Sequence, residues 1–270
     1  MTLEVAVADR VMSGAGPVWD ITSATVLWVE FGGEVVHRFN PATGDDDPVW
    51  LPQPLAAAHP RRFGGLVLTL RDGVALLDPD GTRRWLIYWA RDGVAGAAAA
   101  VDQAGRLWVA TAGDGALLRV EPDGPVSLAL QGTDLSGIAF SPDAGTIYLA
   151  DVSDGYIVAA DFDPDTGDIG PRRPLRPAPA GPSTLCVDAE GSLWVAPSAD
   201  TAVHRYRPDG SREREVPIGG AHPTGCAFGG IQLTDLYVTA APPHGDGGPT
   251  GPLLVVPGAG EGLPTAVFAG

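Results

Sequence analysis

Three side chains stand out as candidates for moving a proton: His222, Asp151 and Glu30. An imidazole with an ordinary pKa of about 6.5 suits general acid–base work at neutral pH, and His222 stands two residues before Thr224. Its alternative reading is a loop histidine bonded to backbone. Asp151 and Glu30 close the apolar runs Ile147-Tyr148-Leu149-Ala150 and Val26-Leu27-Trp28-Val29, where each carboxylate either serves chemistry or caps a turn. Thr111 and Ser198 hold similar places, while Trp89, Arg91, Asp92 and Asp134 fall in connections. Trp89 either floors an apolar pocket or packs between strands, and Arg91 and Asp92 either meet a substrate or pair with each other. Ser136 and Ser183 would be nucleophiles only beside a base, and neither lies in a G-x-S-x-G turn. A covalent serine mechanism is therefore disfavoured. His37 and His204 read as structural, and His244 lies in a Pro/Gly-rich loop that covers a site or simply connects strands.

These residues are placed by a repeat. An apolar-aromatic motif recurs as Leu27-Trp28-Val29, Leu66-Val67-Leu68, Leu107-Trp108-Val109, Ile147-Tyr148-Leu149, Leu193-Trp194-Val195 and Leu236-Tyr237-Val238. The spacings are 39, 41, 40, 46 and 43 residues, the length of a four-stranded propeller blade. Pro-Asp-Gly at Pro79, Pro122 and Pro208 supplies turns between strands. The expected fold is all-β: one six-bladed β-propeller spanning 1–270, with no linker or second domain. Its chain ends should close one blade, with Leu3 to Val7 beside Thr265 to Phe268.

Composition narrows the partners. The chain of 270 residues carries a formal charge of −16 and no Lys, so all 17 basic residues are Arg. Such an acidic surface repels phosphate backbones, which excludes nucleic acid as an expected partner. Schiff-base chemistry through a lysine is also excluded. The two cysteines, Cys186 and Cys226, sit in apolar segments and read as small core residues rather than a disulfide framework. No basic leader region and no apolar run near the ~18 residues of a bilayer span is present, so the expected setting is cytoplasmic, with no membrane partner.

Several segments carry a family likeness across the whole chain: Gly16-Pro17-Val18-Trp19-Asp20, Arg71-Asp72-Gly73-Val74, Gly137-Ile138-Ala139-Phe140-Ser141-Pro142-Asp143 and Pro223-Thr224-Gly225-Cys226-Ala227-Phe228. Together they resemble the SMP-30/gluconolactonase/LRE-like propellers. The resemblance implies divalent-metal lactonase or esterase activity, in which the cation polarises a carbonyl and activates water. It also implies metal ligands: a Glu before Gly-Pro-Val-Trp-Asp, an Asn before Gly, and an Asp after Pro. Those positions here are Ala15, Ser136 and Ser183, and the substrate-binding R-x-N-D segment falls on Ala95-Gly96-Ala97-Ala98.

The repeat supports the placement. Five residues before each turn-entry residue stand Ala15, Ala97, Ser136, Ser183 and Thr224; the second unit lacks a clear turn anchor, and Ala56 is taken as its counterpart. This ring is small and uncharged, whereas a divalent cation needs several oxygen or nitrogen donors including carboxylate. No metal and no other cofactor is expected. The resulting expectation is a metal-independent enzyme on a fairly apolar small molecule, acting by lactone or ester hydrolysis or by a cyclisation or isomerisation in specialised metabolism. Its substrate-binding residues would be Ala15, Trp89, Arg91, Ala97, Ser136, Ser183 and Thr224, with His222, Asp151 and Glu30 catalytic. Two alternatives stand beside it: a non-catalytic ligand-binding protein, and a metal lactonase that recruits Glu30 or Asp151 as replacement ligands.

Overall fold

A computed structural model of the chain describes residues 2–11, 13–89, 91–152, 155–177, 182–242 and 251–270. The described residues form six four-stranded antiparallel sheets and no helix, hence none long and apolar enough to cross a membrane. Five sheets are built from consecutive strands, with innermost strands Gly14–Asp20, Leu55–Pro60, Ala95–Val101, Leu135–Phe140 and Pro182–Val187. The sixth starts from His222–Gly229 and takes its outermost strand, Glu4–Val11, from the N-terminus. This is the six-bladed propeller that the repeat implies.

The repeated aromatic motif forms the second strand of each blade because its residues face neighbours on both sheet surfaces. Trp28, Trp108 and Trp194 are fully buried between blades. In blades 3 and 5 the turn-entry aspartate holds the indole. Trp108 Nε1 donates to Asp102 at 2.9 Å, and Trp194 Nε1 donates to Asp188 at 2.8 Å. Both carboxylates also face an arginine, Arg106 and Arg205 respectively. Blade 1 solves the same position differently, with Trp28 stacked on His37 at 4.0 Å and His37 Nδ1 2.7 Å from Asp46. His204 likewise meets Asp200 at 2.8 Å, so both third-strand histidines serve packing.

Closure differs from expectation in one partner. Glu4–Val11 pairs with Gly251–Val256, not with Thr265 to Phe268. The final segment instead crosses the end of the propeller where the inner strands finish. Ala189 N donates to Glu261 O, Phe268 N to Pro60 O, Arg62 N to Phe268 O, and Ala269 N to Gly105 O. Phe268 is fully buried among Val67, Leu76, Leu107 and Val109, between blades 2 and 3. Its aromatic surface explains the choice: a ring of that size gains more between two blades than on an exposed sheet edge.

Candidate active site

Every inner strand is interrupted at the same height. The ladder shifts register between Leu55 and Ala57, Gly96 and Ala98, Leu135 and Gly137, Pro182 and Thr184, and Pro223 and Gly225. The residues skipped are Ala56, Ala97, Ser136, Ser183 and Thr224. In blade 1 the break lies between Ala15 and Val18, with Gly16 at φ 55°, a left-handed conformation that favours glycine. A β-bulge re-aims side chains and is common beside active sites. Five of the six positions counted from the sequence, Ala56 among them, are therefore bulged residues, and the sixth, Ala15, pairs with Val29 immediately before the bulge at Gly16 and Pro17.

The strands are tightly apposed at this height. A Cβ on Gly225 would come within 2.7 Å of Pro17 and 2.8 Å of Thr239. The Thr224 hydroxyl donates to Gly14 O at 2.5 Å, tying blade 6 to blade 1. Ser136 Oγ lies 3.5 Å from Ala150 O.

Inside the ring runs a cavity of about 1090 Å³ lined by all six inner strands. Ala15, Ala56, Ala97, Ser136 and Thr224 line it, and apolar neighbours such as Val18, Ile138, Leu185 and Phe228 continue its wall. Phe31, Asp134, Val152 and Ser198 stand at the end where the inner strands begin, and Leu263 to Val267 of the terminal segment close the other. The backbone of Ser183 is described but its side chain is not, and His244 lies outside the described residues.

The expected acid–base residues are not brought together. Glu30, Asp151 and His222 lie on blades 1, 4 and 6, and none contributes to the cavity lining. Asp151 is 1% exposed with Oδ2 3.7 Å from Arg172, and His222 Nδ1 lies 3.0 Å from Asp200 O. Trp89 and Arg91 are also absent from the lining. Trp89 packs against the core between blades 2 and 3, and Arg91 is exposed 3.7 Å from Asp114 rather than beside Asp92. Thr111 is buried with its hydroxyl on Asp114 at 2.6 Å. Thr111 and Asp151 are therefore buried in their own blades, whereas Ser198 reaches the cavity lining.

The cavity holds groups that sequence reasoning passed over. His59, Arg62 and Gln103 line its closed end. His59 is 7% exposed, its Nδ1 has no hydrogen-bond partner among the described residues, and burial lowers its pKa to about 4. Blade 2 lacks the Asp-bearing turn that anchors the count elsewhere, so nothing in the spacing drew attention to it. Cys186 and Cys226 are unbridged and belong to the core between blades 5 and 6 as expected, with Sγ atoms 3.8 Å apart, and both also border the cavity. Their contact and burial push the Cys186 thiol well above its ordinary pKa.

Comparison with known proteins agrees with this architecture. Residues 13–242 match the family model described as SMP-30/Gluconolactonase/LRE-like region, and the chain belongs to that family. It is 30% identical over 254 residues to a 6-deoxy-6-sulfogluconolactonase of Pseudomonas putida, covering 89% of this chain and 87% of that protein. It is also 30% identical over 268 residues to regucalcin of Gallus gallus, covering 88% and 86% respectively. A solved luciferin-regenerating enzyme superposes with a TM-score of 0.91 at 23% identity, covering 99% of each chain, a likeness of fold.

The divalent metal implied by the family resemblance does not fit the bulge ring. Ala15 offers a methyl group and Ser136 a single hydroxyl where the resemblance calls for a carboxylate and an amide. Among the described residues no group of three or more His, Cys, Asp and Glu side chains gathers at any place. A hard cation needs six to eight oxygen donors or near-ideal octahedral oxygens, with carboxylate charge among them.

Proposed function

We propose that this protein hydrolyses small, largely apolar lactones or esters, and that it does so without a divalent ion at the bulge ring. The observation that carries the reading is the ring itself: small, uncharged residues at or beside a bulge in each of the six inner strands, opening onto a cavity of about 1090 Å³. Relatives named as lactonases support the reaction class, since the chain matches them over most of its length. The lining supports the substrate class. A polyhydroxylated ring needs a hydrogen bond for each hydroxyl it buries, and walls of Ala, Val, Ile, Leu and Phe provide few.

Asp134 takes the role of base in this proposal, in place of Glu30, Asp151 and His222. It is the carboxylate in the cavity lining, it is exposed at the open end, and it stands two residues before Ser136. Water gives its proton to Asp134 as its oxygen bonds to the acyl carbon. The ring C–O bond then breaks, and the departing alkoxide recovers the proton to leave a hydroxy acid. Backbone N–H groups freed from the ladder by the bulges are the natural donors to the developing oxyanion.

The test is a comparison of kcat/KM for δ-decanolactone and glucono-δ-lactone. The expected result is a preference of about tenfold or more for the decanolactone, the discrimination a few methylene groups supply in an apolar pocket. Asp134→Asn should lower kcat by about a hundredfold or more with little change in KM. Better turnover of the sugar lactone would sink the substrate class. Binding of decanolactone with no turnover would leave a ligand-binding protein.

A further inference from the structure

The closed end of the cavity differs chemically from the rest. His59 follows Ala57 on the same face of its strand, and both side chains line the cavity while Ala58 between them packs into the core. His59 lies three residue steps beyond the bulge at Ala56, so the imidazole lies about 10 Å deeper than the ring. The cavity lining also includes apolar Val101 and Ala266 and, at its closed end, Arg62 and Gln103. The ring is more than nine-tenths buried and Nδ1 meets no partner among the described residues. A neutral imidazole carries a polar nitrogen on each side of the ring; Nδ1 is sealed within the protein, so Nε2 is the nitrogen left to meet a ligand in the cavity.

We propose that His59 is the specificity-determining contact at the floor of the cavity, where its neutral imidazole hydrogen-bonds one hydroxyl or carbonyl of an otherwise apolar ligand. This rests on the reading of the cavity as a small-molecule site, but not on hydrolysis. The occupant is amphipathic in a defined order: its apolar body lies against the small and branched side chains, and its polar atom points away from the open end. Burial keeps the imidazole uncharged, with a pKa of about 4, so throughout the neutral range Nε2 accepts or donates one hydrogen bond according to the tautomer. A neutral imidazole with the Arg62 guanidinium also at the closed end fits an uncharged ligand better than an ammonium ion, which would meet a like charge there.

The experiment uses two probes of one shape, β-naphthol and β-methylnaphthalene, titrated into the full-length wild-type protein and into His59→Phe. Wild type should bind the naphthol about tenfold more tightly than the methyl compound. His59→Phe should remove that difference by weakening the naphthol alone. In ¹⁵N-histidine-labelled wild type, naphthol should shift the His59 ring nitrogens while methylnaphthalene leaves the pattern of a single neutral ring nearly unmoved. The NMR measurement needs no variant to fold. Equal affinity of wild type for the two probes, a preference that survives in His59→Phe, or His59 signals that ignore naphthol would each overturn the proposal. Absence of binding by either probe would overturn both this contact and the cavity as an apolar site. Loss of lactone turnover with the naphthol preference intact would count against hydrolysis only.

Discussion

His59 carries a cost at the residue scale that is open to measurement. Its pKa is about 4 in the folded protein against 6.5 for the ordinary side chain. As pH falls below 6.5, the unfolded chain binds a proton that the folded chain refuses until about pH 4, so stability drops through that window. The full loss is roughly 3 kcal/mol, fully present below the lower pKa. Denaturant midpoints at neutral pH and near pH 4 should therefore separate more for wild type than for His59→Phe. Equal separations would mean that the imidazole is not held neutral. This residue was not legible in the sequence. Its blade turns through Arg61-Arg62-Phe63-Gly64-Gly65, which lacks the aspartate used to count elsewhere, and the face it occupies depends on the bulge at Ala56. The acid–base trio is dispersed for a related reason. Second-strand ends lie near the open end, but Asp151 turns into its own blade and is nearly inaccessible.

The strands show how much a repeat can reveal. Six second strands, the turn chemistry and the ring at Ala15, Ala56, Ala97, Ser136, Ser183 and Thr224 follow from spacing, because each blade must present the same residue at the same height. What spacing does not show is that the backbone bulges there. The turn-entry aspartates are the other device of the blades. Asp188 is 1% exposed and accepts from Ser192 N at 2.9 Å, Trp194 Nε1 at 2.8 Å and Arg205 Nε at 2.8 Å. Asp188→Ala leaves these donors without their shared acceptor beside a buried tryptophan. A loss of roughly 3 to 5 kcal/mol is expected, read by denaturant unfolding, as for breaking a buried ion pair. A change no larger than that of a surface substitution would show that Trp194 is held by packing alone.

At the scale of the whole molecule, the terminal segment decides whether the cavity is a pocket or a through-channel. Thr265 to Phe268 looks like an edge strand in sequence, since it is short and apolar. Its destination depends on a gap between blades 2 and 3 that no local pattern encodes. Phe268→Ala empties a fully buried site and should cost roughly 3 to 5 kcal/mol, seen as a lower Tm. It should also loosen the segment from Leu263 to Val267 that closes the cavity, raising amide exchange there. Unchanged exchange would show that the backbone bonds to Pro60 and Gly105 suffice.

The central claim is that this propeller keeps its family's cavity and reaction class with a ring of small, uncharged residues in place of metal ligands. The most direct measurement is the rate of δ-decanolactone hydrolysis before and after exhaustive chelation, followed by titration with Ca²⁺, Mn²⁺ and Zn²⁺. The account predicts the same kcat/KM throughout. Activity that disappears with chelator and returns with one of these ions would contradict it.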